Sequence, residues 1–176
     1  DSGLIVVGNL PDPASTDAIL QLAKKLKWPV WPDVRSGLRL GVEDSIVIQF
    51  FDLALACDEV RRDLQPDLIL QFGGRLVSKR LGQFIDEFEG EYILVQSEHE
   101  RLDPGHHQKQ VLVTEIPSLC KNLGDTLPAA RNNRFSKFCA DLDRRAGKSL
   151  VEFLQTELRL SEIHIAHHLA RLAPEQ

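Results

Sequence analysis

Short apolar runs, each closed by Gly, Pro or Asp, recur along the first two thirds of the chain and alternate with segments of helical periodicity. Within the runs the apolar positions are nearly continuous rather than alternating, which is typical of strands buried on both faces of a sheet. These runs predict strands at residues 4–8, 28–31, 67–74, 92–95 and 111–114. A further run, residues 46–51, fits a short strand or a buried coil. The pattern predicts an α/β fold with a doubly wound, mainly parallel sheet of about five or six strands.

Helices are predicted between the strands. Ser15 or Thr16 can cap the first helix, and Asp52 can cap a second that runs to about Leu64. From about residue 119 the pattern is helical only, with helices predicted at residues 134–145, 149–158 and 161–172 and a break at Gly147. We therefore expect a Rossmann-like domain over residues 1–120. Residues 121–176 are expected to form a cover helix and a helical linker toward another domain.

Composition narrows the class of protein. Of the 176 residues, 43% are hydrophobic and 27% charged, which are values of an ordinary globular domain. The net charge of −5 offers no broad basic surface for nucleic acid, and no apolar stretch approaches the roughly 18 residues of a membrane span. The chain also starts directly in a strand pattern and contains no methionine, so we expect it to be part of a longer protein.

Three cysteines, Cys57, Cys120 and Cys139, lie apart in the sequence without the spacing of a CxxC motif. They are interpreted as buried or free thiols of a reducing compartment. His164, His167 and His168 share one face of the last predicted helix, but no cysteine or carboxylate accompanies them at ligand spacing. We interpret them as surface residues rather than metal ligands.

Nucleotide-binding motifs are incomplete in this sequence. The first strand is followed by Gly8-Asn9-Leu10-Pro11, with one glycine where the dinucleotide fingerprint needs three. Residues 73–79 contain a glycine pair but lack the Gly-Lys-Ser/Thr order of a phosphate loop. No serine has the context of a nucleophile elbow, and no catalytic dyad or triad is assembled. The chain alone is therefore predicted to be non-catalytic.

The candidate site is a group of cations, Arg75, Lys79 and Arg80, that follows the clearest strand. In a doubly wound sheet the carboxyl ends of the strands are where ligands bind. Cations are unfavourable in the first turn of a helix, so two of them at this position indicate a carboxylate or phosphate site. The alternative is that Lys79 and Arg80 reach solvent or pair with Asp86 or Glu87. Spacing alone leaves both interpretations open.

Several stretches in combination resemble one family. They are Trp28-Pro29-Val30 with Asp33-Val34 and Ser36-Gly37, then Ser78-Lys79-Arg80-Leu81, then Arg101-Leu102-Asp103-Pro104-Gly105-His106-His107, and the last helix from Leu160 to Pro174. Over essentially the whole chain, the sequence resembles the central domain of the 2-succinyl-5-enolpyruvyl-6-hydroxy-3-cyclohexene-1-carboxylate synthases, the MenD family. These enzymes are abbreviated as SEPHCHC synthases. The plant fusion protein PHYLLO is included in that family.

The resemblance implies a three-domain transferase of menaquinone and phylloquinone biosynthesis. It implies that pyrimidine-binding and diphosphate-binding domains, absent from this sequence, hold thiamine diphosphate and Mg²⁺, and that this fragment binds neither. By the same resemblance, the whole enzyme decarboxylates 2-oxoglutarate, adds the succinyl unit to isochorismate, and is a homodimer or homotetramer. A bacterial source would imply the cytoplasm, and a plant or algal source the plastid.

The resemblance also assigns a role to the basic pair. Lys79 and Arg80 match the motif at which the central domain reaches the active site, so both are expected to bind a substrate carboxylate. Arg80 is the stronger candidate because a guanidinium can grip a carboxylate through two bonds. Arg75 is a possible anion-binding residue or a partner in an ion pair. The alternatives are a stand-alone small-anion or nucleotide-binding module and a purely structural domain.

Overall fold

The computed structural model describes residues 2–10, 12–40, 42, 44–98, 110–129, 133–157 and 159–172. Over these residues the strands are β1 (Gly3–Val7), β2 (Val30–Pro32), β3 (Leu68–Phe72), β4 (Glu91–Gln96) and β5 (Gln110–Val113). The helices are α1 (Pro13–Leu26), α2 (Phe51–Ala54), α3 (Asp58–Asp63), α4 (Lys79–Asp86), α5 (Ile116–Thr126), α6 (Arg134–Thr156) and α7 (Glu162–Leu172).

The strands form one five-stranded sheet in the order β2-β1-β3-β4-β5, and every described pairing is parallel. β1 lies inside the sheet, where Ile5 aligns with Val30 of β2 on one side and with Leu70 of β3 on the other. Every residue of β1 is buried. The predicted parallel α/β fold is therefore confirmed, with five strands.

Side chains from successive strand positions enter separate cores on the two faces of the sheet. Leu4 and Val6 of β1 pack in a core covered by α2, α4 and α6, whereas Ile5 and Val7 pack in a core covered by α1 and α5. Because strand side chains alternate between faces, an entirely apolar β1 requires helices on both sides. This two-sided burial fixes which face of each helix points inward.

Two helix starts differ from the sequence prediction. α1 is capped by Asp12, not by Ser15 or Thr16: the Ser15 amide and hydroxyl both donate to the Asp12 carboxylate, at 2.9 Å. Pro13 at the first helical position suits this earlier start. The helix predicted from Asp52 to Leu64 is divided into the short helices α2 and α3, and α2 starts at Phe51.

Two further predictions concerned residues 46–51 and Gly147. The run 46–51 is mainly coil, with one isolated parallel bridge from Val47 to Val30 at the sheet margin. The prediction of a helix break at Gly147 was wrong, since α6 continues through this residue. A Cβ at Gly147 would lie 2.9 Å from the Phe50 ring, so glycine lets α6 approach the segment before α2. Tertiary packing outweighs the weak helix propensity of glycine, about 1 kcal/mol.

The loop after β2 is tied to the start of α4 by a buried carboxylate. Asp33 is 1% exposed, and its Oδ2 accepts from the backbone amides of Val77, at 2.8 Å, and Ser78, at 3.0 Å. Its own amide donates to the Val7 carbonyl at 2.8 Å. One side chain therefore joins the ends of β1 and β2 to the segment that leads into α4.

The three cysteines are free thiols, as predicted. Cys57 is exposed, whereas Cys120 and Cys139 are buried, and desolvation raises the pKa of each buried thiol to about 12. Both buried groups therefore stay protonated at neutral pH. Among the described helices, none is both long and apolar enough to cross a bilayer.

A substitution at Gly73 tests the close packing of the loops that follow β1 and β3. Its φ is +81°, and an added Cβ would lie 2.4 Å from the Asn9 carbonyl oxygen. We expect Gly73→Ala to lower the free energy of unfolding by about 2 kcal/mol or more, because it combines backbone strain with a clash. Urea unfolding of the 176-residue chain measures this. Gly82→Ala, within α4 and in open space, is the matched control and should stabilise by about 0.5–1 kcal/mol. Equal effects would contradict the explanation.

Asp33→Ala tests the carboxylate link between β2 and α4. Removal leaves two backbone amides without their acceptor, so we expect a loss of about 2–4 kcal/mol of unfolding free energy. Asp33→Asn retains an acceptor oxygen and should cost less. Asp58→Ala, which removes an acid with a 77% exposed side chain, is the control and should stay within about 0.5 kcal/mol of the parent. An Asp33→Ala loss as small as that of the control would show that the link contributes little.

Candidate functional site

The loops that follow β1 and β3 bind each other at the carboxyl edge of the sheet. The Gly8 amide donates to the Phe72 carbonyl at 2.9 Å, and the Gly74 amide donates to the Asn9 carbonyl at 2.7 Å. A Cβ at Gly8 would lie only 2.2 Å from the Gly74 oxygen. The glycines here therefore serve close packing between two loops, and these amides are bound to carbonyls rather than directed at a phosphate.

Gln71 supports the glycine turn from within the sheet. Its amide nitrogen donates to the Gly74 carbonyl at 3.3 Å, and its amide oxygen accepts from the Tyr92 hydroxyl at 2.6 Å. Gln71 is 3% exposed, so this polar group is buried with its hydrogen bonds made. The chain leaving β3 is thereby held in a defined direction toward α4.

The first turn of α4 presents the predicted basic pair. Ser78 is the N-cap, and its hydroxyl accepts from the Leu81 amide at 3.0 Å. Leu81, which is fully buried, turns into the core, while Lys79 and Arg80 are exposed. The structure thus places both cations at the start of the helix after β3, as predicted. Arg75 is exposed in the preceding loop.

Asp52 of α2 binds the start of α4, a contact that the sequence did not predict. Its Oδ2 accepts from Nη1 of Arg80 at 2.8 Å, and its Oδ1 accepts from the Ser78 hydroxyl. The acids considered from the sequence were Asp86 and Glu87, but Glu87 pairs with Arg61 at 3.7 Å. Proximity in sequence pointed to acids of the same helix, whereas the partner of Arg80 comes from a different element.

A second arginine, Arg39, lies near Asp52 and was also missed by sequence reasoning. Its guanidinium donates to the Gln49 carbonyl and lies 5.8 Å from the centre of the Phe51 ring. Burial lowers the pKa of Arg39, and the charges of three carboxylates oppose this shift. In order of effect, these belong to Asp52, Asp143 and Asp33. In the region behind Arg80, Arg39 therefore lies among three carboxylates.

Asp143 joins α6 to that cluster. Its carboxylate accepts from the Phe50 amide at 2.5 Å, and this bond crosses from α6 to the segment before α2. Burial raises the pKa of Asp143, while the Phe50 bond and the charge of Arg39 act in the opposite direction. This hydrogen bond to α6 therefore helps to hold α2, and with it Asp52, in position.

Other candidate residues lie elsewhere or outside the described chain. Residues 101–107, which include the Asp-Pro-Gly-His-His segment, are not among the described residues. On α7, His164 contacts the Ser161 hydroxyl at 2.9 Å and the Leu154 carbonyl at 3.1 Å. Within the described ranges, no group of three or more His, Cys, Asp or Glu residues could hold a metal ion.

Comparison with known proteins identifies relatives over the full length of the chain. The 2-succinyl-5-enolpyruvyl-6-hydroxy-3-cyclohexene-1-carboxylate synthase of Psychromonas ingrahamii is 31% identical over 97% of this chain and 29% of its own. The synthase of the same name from Salinibacter ruber is 35% identical over 100% of this chain and 30% of its own. Protein PHYLLO, chloroplastic, from Arabidopsis thaliana is 32% identical over 96% of this chain and 10% of its own.

The chain therefore spans less than a third of each of these relatives. The resemblance to the SEPHCHC synthases inferred from the sequence motifs is confirmed. A family model described as "Middle domain of thiamine pyrophosphate" matches residues 1–176. Since this match covers every residue, the chain belongs to the family of middle domains of thiamine pyrophosphate enzymes.

Proposed function

We propose that the chain is the middle domain of an SEPHCHC synthase, a thiamine-diphosphate enzyme that decarboxylates 2-oxoglutarate and adds the succinyl unit to isochorismate. The family match and the names of the relatives support this assignment. The structural observation that carries it is the pair Lys79 and Arg80, exposed in the first turn of α4 at the carboxyl edge of a parallel sheet. Ligands of doubly wound folds bind at this edge.

In this proposal the domain contributes cations to substrate binding and performs no chemical step itself. Both substrates carry two carboxylates, and a closed site needs cations to offset the cost of removing these anions from water. Arg80 would grip a carboxylate through paired N–H groups, and Lys79 would add a mobile point charge. Arg75 is a further candidate for anion binding on the adjoining loop.

We infer that the described residues around the basic pair do not hold the thiamine diphosphate and Mg²⁺ that the family implies. Two carboxylates at the start of α4 are engaged: Asp33 binds two backbone amides, and Asp52 binds Ser78 and Arg80. The amides of Gly8 and Gly74 are bonded to carbonyls. We therefore assign the cofactor and its metal ion to other domains of the complete enzyme, and assign no reaction step to this chain.

The partners proposed for this chain are the pyrimidine-binding and diphosphate-binding domains of the same protein, assembled as a homodimer or homotetramer. Support comes from α7, which buries no residue within the described chain. On that helix Leu169 and Leu172 are 62% and 79% exposed, apolar surface that a neighbouring domain would cover. The division between a domain at 1–120 and a linker at 121–176 stays a prediction. A bacterial enzyme would act in the cytoplasm, and a plant or algal enzyme in the plastid.

Arg80→Ala in the complete enzyme tests the assignment. We expect kcat/KM to fall about 10-fold or more, equivalent to about 1.4 kcal/mol, because a charged contact to a substrate carboxylate is lost. Lys79→Ala should lower kcat/KM in the same direction by a smaller factor. Turnover is measured with 2-oxoglutarate, isochorismate, thiamine diphosphate and Mg²⁺.

Arg144→Ala is the matched control for that experiment, since Arg144 is an exposed arginine that pairs with Asp141 on α6. It should leave kcat/KM unchanged. If Arg80→Ala also has no effect, the domain is a scaffold. If the unaltered enzyme does not turn over these substrates, the assignment to SEPHCHC synthase is wrong.

The alternative function, a stand-alone binder of small anions or nucleotides, rests on the same exposed cations. It is tested by titrating the isolated chain with 2-oxoglutarate, isochorismate and ADP in a calorimeter. If the site is shared with other domains, the isolated chain should show no saturable binding at ligand concentrations below about 1 mM. A dissociation constant of that size corresponds to a binding free energy of only about 4 kcal/mol. Saturable binding at micromolar concentration that Arg80→Ala abolishes would instead establish the stand-alone module.

A further inference from the structure

The carboxylate of Asp52 connects two separate points at the start of α4. One oxygen accepts from the Ser78 hydroxyl, and the other accepts from Nη1 of Arg80 at 2.8 Å. Ser78 and Arg80 are two residues apart, and Asp52 comes from a different helix, 28 positions before Arg80. The arrangement therefore fixes the direction of the Arg80 side chain relative to the helix that carries it.

Both sides of this contact are themselves held in place. Phe51, adjacent to Asp52, is 2% exposed and stacks on Trp31 with ring centres 5.3 Å apart and planes within 7°. On the α4 side, the Ser78 amide donates to Asp33 at 3.0 Å, and its hydroxyl caps the helix. The Asp52–Arg80 pair thus joins two well-anchored backbones.

The pair itself is too exposed to contribute much to folding. The side chains of Arg80 and Asp52 are 52% and 37% exposed, and ion pairs of this kind add little stability because water screens them. Its effect is on the geometry of Arg80. A long arginine side chain loses rotamer freedom on binding a ligand, and a contact that orders it beforehand lowers that cost.

We propose that Asp52 is a positioning residue for Arg80, holding one terminal nitrogen so that the rest of the guanidinium is oriented for a substrate carboxylate. This inference rests on the proposed function of Arg80. A guanidinium has five N–H donors, and the bond to Asp52 uses Nη1, so donors remain for a two-bond grip. Because Asp52 is also bound by Ser78, it keeps its place when Arg80 engages a ligand.

The opposite role would be competition, in which Asp52 occupies Arg80 and weakens substrate binding. The two roles predict opposite changes in KM when Asp52 is removed. If Asp52 orders Arg80, its removal raises KM, and if it competes, its removal lowers KM. The N–H donors that remain on the guanidinium favour the first role, because Arg80 can bind a carboxylate without releasing Asp52.

The test is a double-mutant cycle in the complete enzyme, with Asp52→Ala, Arg80→Ala and the double variant. For the substrate whose KM rises in Arg80→Ala, we expect Asp52→Ala to raise KM about five-fold with a smaller change in kcat. In the Arg80→Ala background the same substitution should have no further effect. Asp52→Asn keeps one acceptor oxygen, enough for Ser78 or Arg80 but not for both, so it should raise KM by no more than Asp52→Ala, and this effect should also vanish without Arg80.

A control cycle uses Lys121 and Asp125, an exposed ion pair on α5 at 2.7 Å. Asp125→Ala and Lys121→Ala should leave KM unchanged alone and together. Melting temperatures of all variants identify losses of folding. If Asp52→Ala does not fold, the cycle with Asp52→Asn decides the question by the same criterion.

The possible results separate this inference from the proposed function. No effect of Arg80→Ala would overturn the role of Arg80 and the inference with it. An effect of Arg80→Ala without any effect of the Asp52 variants would overturn only the positioning role. A lower KM in Asp52→Ala would likewise exclude positioning through Arg80. So would a double variant whose fold-increase in KM equals the product of the fold-increases in the two single variants.

Discussion

The candidate site depends on a buried carboxylate that binds two backbone amides. Asp33 at the end of β2 accepts from Val77 and Ser78 immediately before α4. A buried charge is costly unless hydrogen bonds compensate it, and amides from a segment that is entering a helix compensate it well. The same bonds determine where α4 begins. The position of Lys79 and Arg80 over the sheet edge therefore follows from Asp33 more than from either cation itself.

Burial on both faces of the sheet then determines the direction of the cations. Leu81, Phe84 and Ile85 of α4 are buried in the core shared with β1 and β3. Once these residues point inward, Lys79 and Arg80 must lie at the exposed beginning of the helix. Cations there oppose the helix dipole by some tenths of a kcal/mol up to about one, and the carboxylate of Asp52 offsets part of this cost. Packing and electrostatics thus together explain a placement that local helix rules disfavour.

The sequence predicted the features that depend on local pattern. Continuous apolar runs predicted the parallel strands, and the segment after Gly73-Gly74 predicted a helix that starts with Lys79 and Arg80. It did not predict contacts between elements distant along the chain, such as Asp52 with Arg80 or Asp33 with Ser78, because periodicity contains no information about them. For the same reason Gly147 was taken for a helix end, whereas its contact with Phe50 keeps it inside α6.

The charge balance around α4 explains why such a site would be shared with other domains. Arg39 and Arg80 are each close to carboxylates, chiefly that of Asp52, so their positive charge is largely neutralised within the chain. The net charge of −5 adds no long-range attraction for a dianion. In the proposed site the chain would supply an ordered guanidinium from Arg80 and the point charge of Lys79, and the ordering of Arg80 would lower the cost of binding a carboxylate. Cations contributed by another domain would supply the missing attraction, and closure between domains would remove the water that weakens each contact.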